Sequence, residues 1–243
     1  MSLQLKAFGR SDVGKVRRRN EDMMVVEPSR GIVVVADGMG GAPGGDVASA
    51  LAVQEVARSL HQGQDMDASI REANRKILSA VADQPSLSGM GTTVTALQVA
   101  LDKGTFVIGH VGDSRAYLLS EGGFSQISRD HTMVRDMVDA GKIPASAERE
   151  HPLGHILSRA LGTEAEVDVD LVEGRVHPGD CFLLCSDGLA KVMDDDEVEE
   201  WTRRAEREPL EQVVDALVEE ANRRGAPDNV TVAFLLIGNS RSL

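Results

Sequence analysis

Four aspartates stand at the ends of apolar, strand-like runs that lie far apart in the sequence. Asp37 ends "IVVVAD", Asp113 follows "TFVIGHVG", Asp187 ends "FLLCSD" and Asp228 precedes "NVTVAFLL". Any one of them can be explained as part of a turn, because Asp is common next to Gly or Asn where a strand ends. Four together indicate strand ends that converge, where carboxylates repel one another unless cations neutralise them. Oxygen ligands without Cys or His predict a hard metal ion, Mg²⁺ or Mn²⁺.

The apolar pattern predicts strands, two helices, more strands, two more helices and a final strand. Strands are expected at 3–9, 23–27, 31–36, 92–101, 104–112, 114–120, 167–172, 180–185 and 229–238, and helices at 44–60, 67–83, 194–204 and 209–224. Asp67 is the expected N-cap of the second helix. Segment 128–160 is less regular. Because strands and helices do not alternate strictly, the order favours antiparallel sheets covered by helices.

Charge and composition narrow the classes of partner. The 243 residues carry 26 basic and 39 acidic side chains, a net charge of −13, which disfavours nucleic acid and anionic lipid. No run approaches the roughly 18 apolar residues that span a bilayer, and no apolar leader follows residue 1. Cys181 and Cys185 suit a reducing compartment. We therefore expect a cytoplasmic protein without membrane insertion, folded as one domain over 1–243 and monomeric.

A basic run, Arg17 to Arg19, directly precedes Asn20, Glu21 and Asp22 in "GKVRRRNED". Three arginines in a row are ordinarily a solvated surface patch. A guanidinium is also the side chain that pairs with phosphate through a bidentate fork. Because acidic groups able to approach a metal follow immediately, the run makes a phosphoryl substrate plausible.

Eight segments stand along the chain in the order "GKVRRRNED", "VVVADGMGG", "GMGTT", "GHVGDSRAY", "RDHT", "SRALG", "LLCSDGL" and "APDNVTV". Their order and spacing resemble the bacterial metal-dependent serine/threonine protein phosphatases of the protein phosphatase 2C (PPM) type. The resemblance implies an α+β fold in four layers, αββα, with a central antiparallel β-sandwich flanked by helices on both faces. It also implies one catalytic domain with a flap-like segment at about 128–160.

The resemblance assigns a metal centre to the aspartates at the strand ends. It implies that Asp37 bridges two ions, that Gly38 supplies a backbone carbonyl, and that Asp187 and Asp228 are the other direct ligands. Bacterial members often bind a third ion, whose ligands would be Asp113 and Asp187. The expected cofactor is Mn²⁺ or Mg²⁺, as two ions or three.

The same resemblance assigns roles to residues beside the centre. Asp22 matches the residue that holds metal-bound water, Arg17 the phosphate-binding arginine and Asn229 the neighbour of the last ligand. Arg18 and Arg19 compete with Arg17 for that role. His131 in "RDHT" is a candidate catalytic residue by its place beside the flap, although a lone His is more often structural.

Three residues depart from the family pattern. Met39 stands where animal members have the His that is usually proposed as the general acid, and a thioether cannot donate a proton. The general acid therefore stays unassigned. Gly154 and His155 stand where the family more often has Arg and Asn, which puts the contacts between flap and substrate in question.

The function that the resemblance implies is hydrolysis of phosphoserine and phosphothreonine on proteins, by in-line attack of a hydroxide that bridges two metals. Its partners would be phosphorylated proteins and a bacterial serine/threonine kinase that it opposes. Two alternatives stay open. The chain could be a silent module that binds phosphorylated partners. It could instead be a small-molecule phosphatase on the haloacid-dehalogenase pattern, with Asp168 of "DVDLV" as nucleophile.

Overall fold

The computed structural model describes residues 3–39, 44–148 and 151–239. The strands in this part of the chain are β1 (Leu3–Asp12), β2 (Asp22–Glu27), β3 (Ile32–Asp37), β4 (Val94–Ala100), β5 (Thr105–Val111), β6 (Arg115–Ser120), β7 (Gly123–Gln126), β8 (Asp170–Arg175), β9 (Cys181–Cys185) and β10 (Val230–Asn239). The helices are α1 (Gly45–His61), α2 (Met66–Asp83), α3 (Met133–Asp139), α4 (Asp187–Ala190), α5 (Asp195–Arg204) and α6 (Leu210–Arg223). Within these ranges, no helix has the length and apolarity to cross a bilayer.

The strands form two five-stranded sheets. Sheet I has the order β1-β10-β9-β6-β7, and sheet II has the order β2-β3-β4-β5-β8. Neighbouring strands are antiparallel in both sheets. The antiparallel sheets expected from the order of elements are therefore confirmed.

The two sheets pack face to face across an apolar core. Val33, Val35 and Leu97 of sheet II lie in one buried cluster with Phe182, Leu184 and Leu235 of sheet I. The rings of Phe106 and Phe182 meet edge to face with centroids 4.9 Å apart, an arrangement that aromatic pairs favour. Every residue of β9 is buried, because one face contacts the other sheet and the opposite face lies under helices. This is why "CFLLC" reads as a continuous apolar run instead of an alternating one.

Helices cover the outer face of each sheet. Val53 and Val56 of α1 and Ile70 and Ile77 of α2 are fully buried against sheet II. On the other side, α5 and α6 pack on sheet I through a second buried cluster that includes Val198, Val213 and Leu217. The αββα order of four layers is thus confirmed.

Several predicted boundaries are wrong: the strand expected at 3–9 continues to Asp12, the strand expected at 92–101 begins at Val94, and the start of α2 and the bounds of β8 also differ. Helix α2 begins at Met66, and its N-cap is Asp65, whose carboxylate accepts the Ala68 N–H at 2.7 Å. Asp67 lies in the first turn and pairs with Arg71 at 2.8 Å. Both aspartates suit a cap, and the extended backbone at Asp65 decides between them. The strand expected at 167–172 is β8, which begins three residues later at Asp170.

Segment 128–160 contains more regular structure than its pattern predicts. It includes α3, which is too short for periodicity to reveal, and a 3₁₀ turn at Ala145–Ala147. The Thr132 hydroxyl caps α3 by accepting the Arg135 N–H, and Thr132 also pairs with Leu157 in an isolated bridge. The segment therefore folds back on itself. Residues 149 and 150 lie outside the described residues.

His110 on β5 is fully buried and held through both ring nitrogens. Nδ1 accepts from the Thr95 hydroxyl at 2.9 Å, and Nε2 donates to the Arg129 carbonyl at 3.0 Å. The ring of His131 lies 4.8 Å away. Burial, together with the charge that His131 would carry, lowers the pKa of His110 to about 4. The side chain is therefore neutral in the folded protein near pH 7.

We expect His110 to make the fold less stable as the pH falls from 7 to 5. Its folded pKa lies below the ordinary His value, so the unfolded chain binds more protons in this range and acid favours unfolding. His110→Gln should reduce the resulting loss of unfolding free energy by on the order of 2 kcal/mol, measured by urea denaturation at both pH values.

The control is His177→Gln, because the side chain of His177 is 65% exposed. That variant should keep the pH dependence of the wild type. The role of His110 is refuted if His110→Gln also keeps it.

Candidate metal centre

The structure brings the predicted aspartates together at one end of the sandwich. Asp22 and Asp37 lie directly opposite each other in the register of β2 and β3. Asp113 follows β5, Asp187 opens α4 immediately after β9, and Asp228 lies just before β10. Both sheets therefore contribute carboxylates to one site.

These carboxylates lie close enough to raise one another's pKa. Burial raises the pKa of Asp37 well above its ordinary value, and the charges of Asp22 and Asp187 raise it further. Burial, and then the charge of Asp187, has the same effect on Asp113. A buried cluster of like charge favours the uptake of protons or of a cation.

Two glycines permit the close backbone contacts that build the site. A Cβ atom on Gly188 would lie 1.9 Å from the carbonyl oxygen of Asn229, so α4 can approach the segment that carries Asp228 only without a side chain there. A Cβ atom on Gly38 would lie 2.3 Å from the carbonyl oxygen of Gly45. Any substitution at either position would push apart the segments that hold the carboxylates.

Asp22 is oriented by two hydroxyl groups. Ser186 Oγ and Thr231 Oγ1 each donate to Asp22 Oδ2 at 2.7 Å. Its other oxygen, Oδ1, is buried and has no hydrogen-bond partner. Burial raises the pKa of Asp22 to about 6, although the two hydroxyls act to lower it. A buried oxygen without a partner indicates a ligand that the chain itself does not supply.

Two cationic side chains of the protein contact the carboxylates. Lys191 Nζ lies 2.6 Å from Asp187 Oδ2 and 2.8 Å from Asp228 Oδ2. Arg17 approaches Asp228 with two nitrogens, Nε at 2.9 Å from Oδ1 and Nη2 at 2.9 Å from Oδ2. Although burial acts to raise the pKa of Asp228, Lys191 and Arg17 hold it below its ordinary value. Asp228 is therefore ionised more readily than Asp22, Asp37 or Asp113.

The side-chain amide of Asn229 fixes the loop between β1 and β2. Its oxygen accepts the Glu21 N–H at 2.8 Å, and its nitrogen donates to the carbonyls of Val13 and Arg19 at 2.9 Å each. Arg17 belongs to this loop. Asn229 thus sets the position of Arg17 and the entry of the chain into β2.

A cavity of about 320 Å³ opens on the carboxylates. Its walls are formed by Arg17, Asp37, Met39, Thr93, Asp113, His155, Ile156, Leu157, Asp187, Lys191 and Asp228. Of the three consecutive arginines, Arg17 is the one that lines this cavity. The flap-like segment contributes His155, Ile156 and Leu157, so it closes one side of the cavity.

His131, the candidate catalytic residue beside the flap, is not among the residues that line this cavity. Its side chain is fully buried, and Nδ1 accepts the Gly112 N–H at 3.1 Å. The ring proton is therefore on Nε2, which donates to Asp170 Oδ2 at 3.1 Å. Burial lowers the pKa of His131. This placement argues against a catalytic role and indicates that His131 supports the backbone next to Asp113.

The donor set suits a hard divalent cation. Asp187 Oδ1, like Asp22 Oδ1, is buried without a hydrogen-bond partner, and both oxygens belong to the carboxylate cluster. Across residues 3–39, 44–148 and 151–239, however, no three His, Cys, Asp or Glu side chains are arranged as a ready-made cage for one ion. Asp187 and Asp228 are instead held in ion pairs with Lys191 and Arg17.

Sequence reasoning missed three residues of the site. Lys191 follows Asp187 by four positions, the spacing that brings side chains together on a helix, and this signal was available. Ser186 and Thr231 reach Asp22 from 164 and 209 residues away in the sequence. No local pattern could have indicated that contact.

The chain matches the protein phosphatase 2C family over residues 15–230. It is 39% identical to the serine/threonine protein phosphatase PstP of Mycobacterium tuberculosis over 96% of this chain, and it spans 45% of that relative's length. It is also 36% identical to the serine/threonine phosphatase stp of Listeria welshimeri, over 93% of each chain.

The fold closely matches a solved structure of the catalytic domain of PstP in complex with two manganese ions. The TM-score is 0.86 at 36% sequence identity, over 98% of this chain and 100% of the other. The family match includes the site residues from Arg17 to Asn229. The chain belongs to the protein phosphatase 2C family.

Proposed function

We propose that this chain hydrolyses phosphoserine and phosphothreonine in proteins with the help of two divalent cations. The observation that carries the proposal is the cluster of buried carboxylates, with unpartnered oxygens on Asp22 and Asp187, next to a cavity that Arg17 also lines. The names of the relatives and the manganese ions in the PstP structure support it.

The residues that would hold the ions are those at the strand ends. The proposed ligands of two ions are Asp37, Asp187, Asp228 and the Gly38 carbonyl. The proposed ligands of a third ion are Asp113 and Asp187. Mn²⁺ and Mg²⁺ both suit these oxygens. When bound, a pair of such ions lowers the pKa of a shared water and stabilises charge on a transferring phosphoryl group.

Arg17 is proposed to bind the phosphoryl oxygens. Its guanidinium already makes a two-point contact with the Asp228 carboxylate, and the same fork fits two oxygens of a phosphate. To bind phosphate in this way, the Arg17 guanidinium must release the Asp228 carboxylate. Asn229 holds the backbone of this loop through the Arg19 carbonyl, so we propose that this exchange of partners involves the Arg17 side chain.

Asp22 is proposed to orient water in the site. Its Oδ2 is held by the Ser186 and Thr231 hydroxyls, which leaves Oδ1 to accept a hydrogen bond from water. The leaving alkoxide needs a proton that Met39 cannot give. Both nitrogens of His131 are occupied, so His131 is not proposed as its source.

The two alternative functions have less support. A silent binding module does not require the whole set of carboxylates at the strand ends. The dehalogenase pattern requires a nucleophile after a buried strand, whereas Asp168 is exposed and precedes β8, an edge strand of sheet II. We also propose that the protein opposes a serine/threonine kinase, that it is located in the cytoplasm and that it is a monomer.

Asp187→Asn should lower the Mn²⁺-dependent hydrolysis of a phosphothreonine peptide by about a hundredfold or more. Losing one ligand carboxylate should weaken the hold on a cation that stabilises negative charge in the transition state by several kcal/mol. Initial rates of phosphate release in Mn²⁺, with and without excess chelator, provide the measurement.

Asp168→Asn serves as the control and should keep the wild-type rate. Wild-type rates in excess chelator, or in Asp187→Asn, would refute the metal-dependent mechanism. Loss of activity in Asp168→Asn alone would instead favour the dehalogenase pattern.

Thr231→Val should reduce the affinity for Mn²⁺ or the rate by about tenfold, because it removes a hydroxyl that orients Asp22 and keeps the side-chain shape. Titration calorimetry and steady-state rates measure the two effects. Thr202→Val is a matched control, since the buried Thr202 hydroxyl donates to the Val198 carbonyl within α5. If both variants lost Mn²⁺ affinity or rate equally, the effect of Thr231→Val would come from a general loss of protein stability and not from the orientation of Asp22.

A further inference from the structure

Lys191 contacts two carboxylates of the cluster at once. Its ammonium group lies within 2.8 Å of an oxygen of Asp228 and within 2.6 Å of an oxygen of Asp187. Its charge also acts on Asp113. The side chain lines both the cavity of about 320 Å³ and a neighbouring cavity of about 450 Å³ that shares Asp113 and Asp187.

The position of Lys191 is fixed by the backbone around it. Its N–H donates to the Asp187 carbonyl at 2.9 Å, so the two residues are one helical turn apart. The close contact of Gly188 with Asn229 fixes that turn against the segment that carries Asp228. The ammonium group is therefore directed to the place where the two carboxylates meet.

We propose that Lys191 is a built-in counter-ion of the metal centre, which bridges Asp187 and Asp228 when metal is absent and which divalent ions must displace. The inference rests on the proposed function, because it takes Asp187 and Asp228 to be metal ligands. It adds a residue of this chain that sets how tightly the ions bind.

Competition follows from the geometry of the contacts. Both oxygens of Asp228 are already occupied: Oδ2 contacts Lys191 at 2.8 Å and Arg17 at 2.9 Å, and Oδ1 contacts Arg17 and the Asn229 N–H at 2.9 Å each. A metal ion can therefore bind Asp228 only in place of one of these contacts, and the ammonium group that bridges to Asp187 lies where the two carboxylates would share an ion. Without metal, the positive charge offsets the repulsion between the two carboxylates and stabilises the fold. With metal, Lys191 must move, and its charge then repels the incoming ions. Lys191 thus lowers metal affinity and protects the metal-free state.

The test is Lys191→Met, which keeps the length of the side chain and removes its charge. Manganese alone is titrated into wild-type and variant protein by calorimetry, and thermal unfolding is followed in EDTA. Removing the competing charge should tighten Mn²⁺ binding by about tenfold. In EDTA the variant should melt at a lower temperature than the wild type.

Two further variants separate charge from other effects. Lys76→Met removes an exposed lysine on α2 and should match the wild type in both measurements. Lys191→Arg keeps the charge and should remain close to the wild type in Mn²⁺ affinity.

An affinity of Lys191→Met for Mn²⁺ that is unchanged or weaker, or a melting temperature in EDTA equal to that of the wild type, would overturn the inference. If wild-type protein itself binds no Mn²⁺, the proposed metal centre is what fails. If the wild type binds Mn²⁺ and the variant binds it no more tightly, only the counter-ion role fails.

Discussion

Repulsion between buried carboxylates is the interaction on which the rest of this site depends. Asp22, Asp37 and Asp113 all have a raised pKa, first because they are buried and then because they lie near other acids. Two hydroxyl groups donate to Asp22, and Arg17 and Lys191 pair with the neighbouring Asp187 and Asp228, which offsets part of the cost of burying so much negative charge. The fold therefore places several buried carboxylates at one end of the sandwich. This arrangement is stable only when positive charge lies beside them.

Much of the fold and of the site could be predicted because the relevant signals are local. Continuous apolar runs such as "IVVVAD" and "CFLLC" indicate strands buried on both faces, and the order of elements indicates antiparallel sheets under helices. An acid at the end of each run is visible without a structure. Position along the chain was thus enough to predict that Asp37, Asp113, Asp187 and Asp228 lie close together.

The remaining features depend on contacts between distant segments or on small differences in local energy. Thr231 and Ser186 orient Asp22 only because the starts of β2 and β10 and the end of β9 lie side by side. Asp65 and Asp67 offer similar capping groups, and the path of the preceding loop selects Asp65. A sequence containing "RDHT" cannot reveal that both nitrogens of His131 are occupied.

The carboxylates come from both sheets, with Asp22 and Asp37 on sheet II and Asp187 and Asp228 beside strands of sheet I. Their spacing is consequently a measure of how the two sheets are packed. A change of shape deep between the sheets, for example at the Phe106 and Phe182 rings, would move one pair of oxygens relative to the other. The packing of the apolar core is therefore constrained in two ways. It must stabilise the fold, and it must also hold the carboxylates at the end of the sandwich at the right distances from one another.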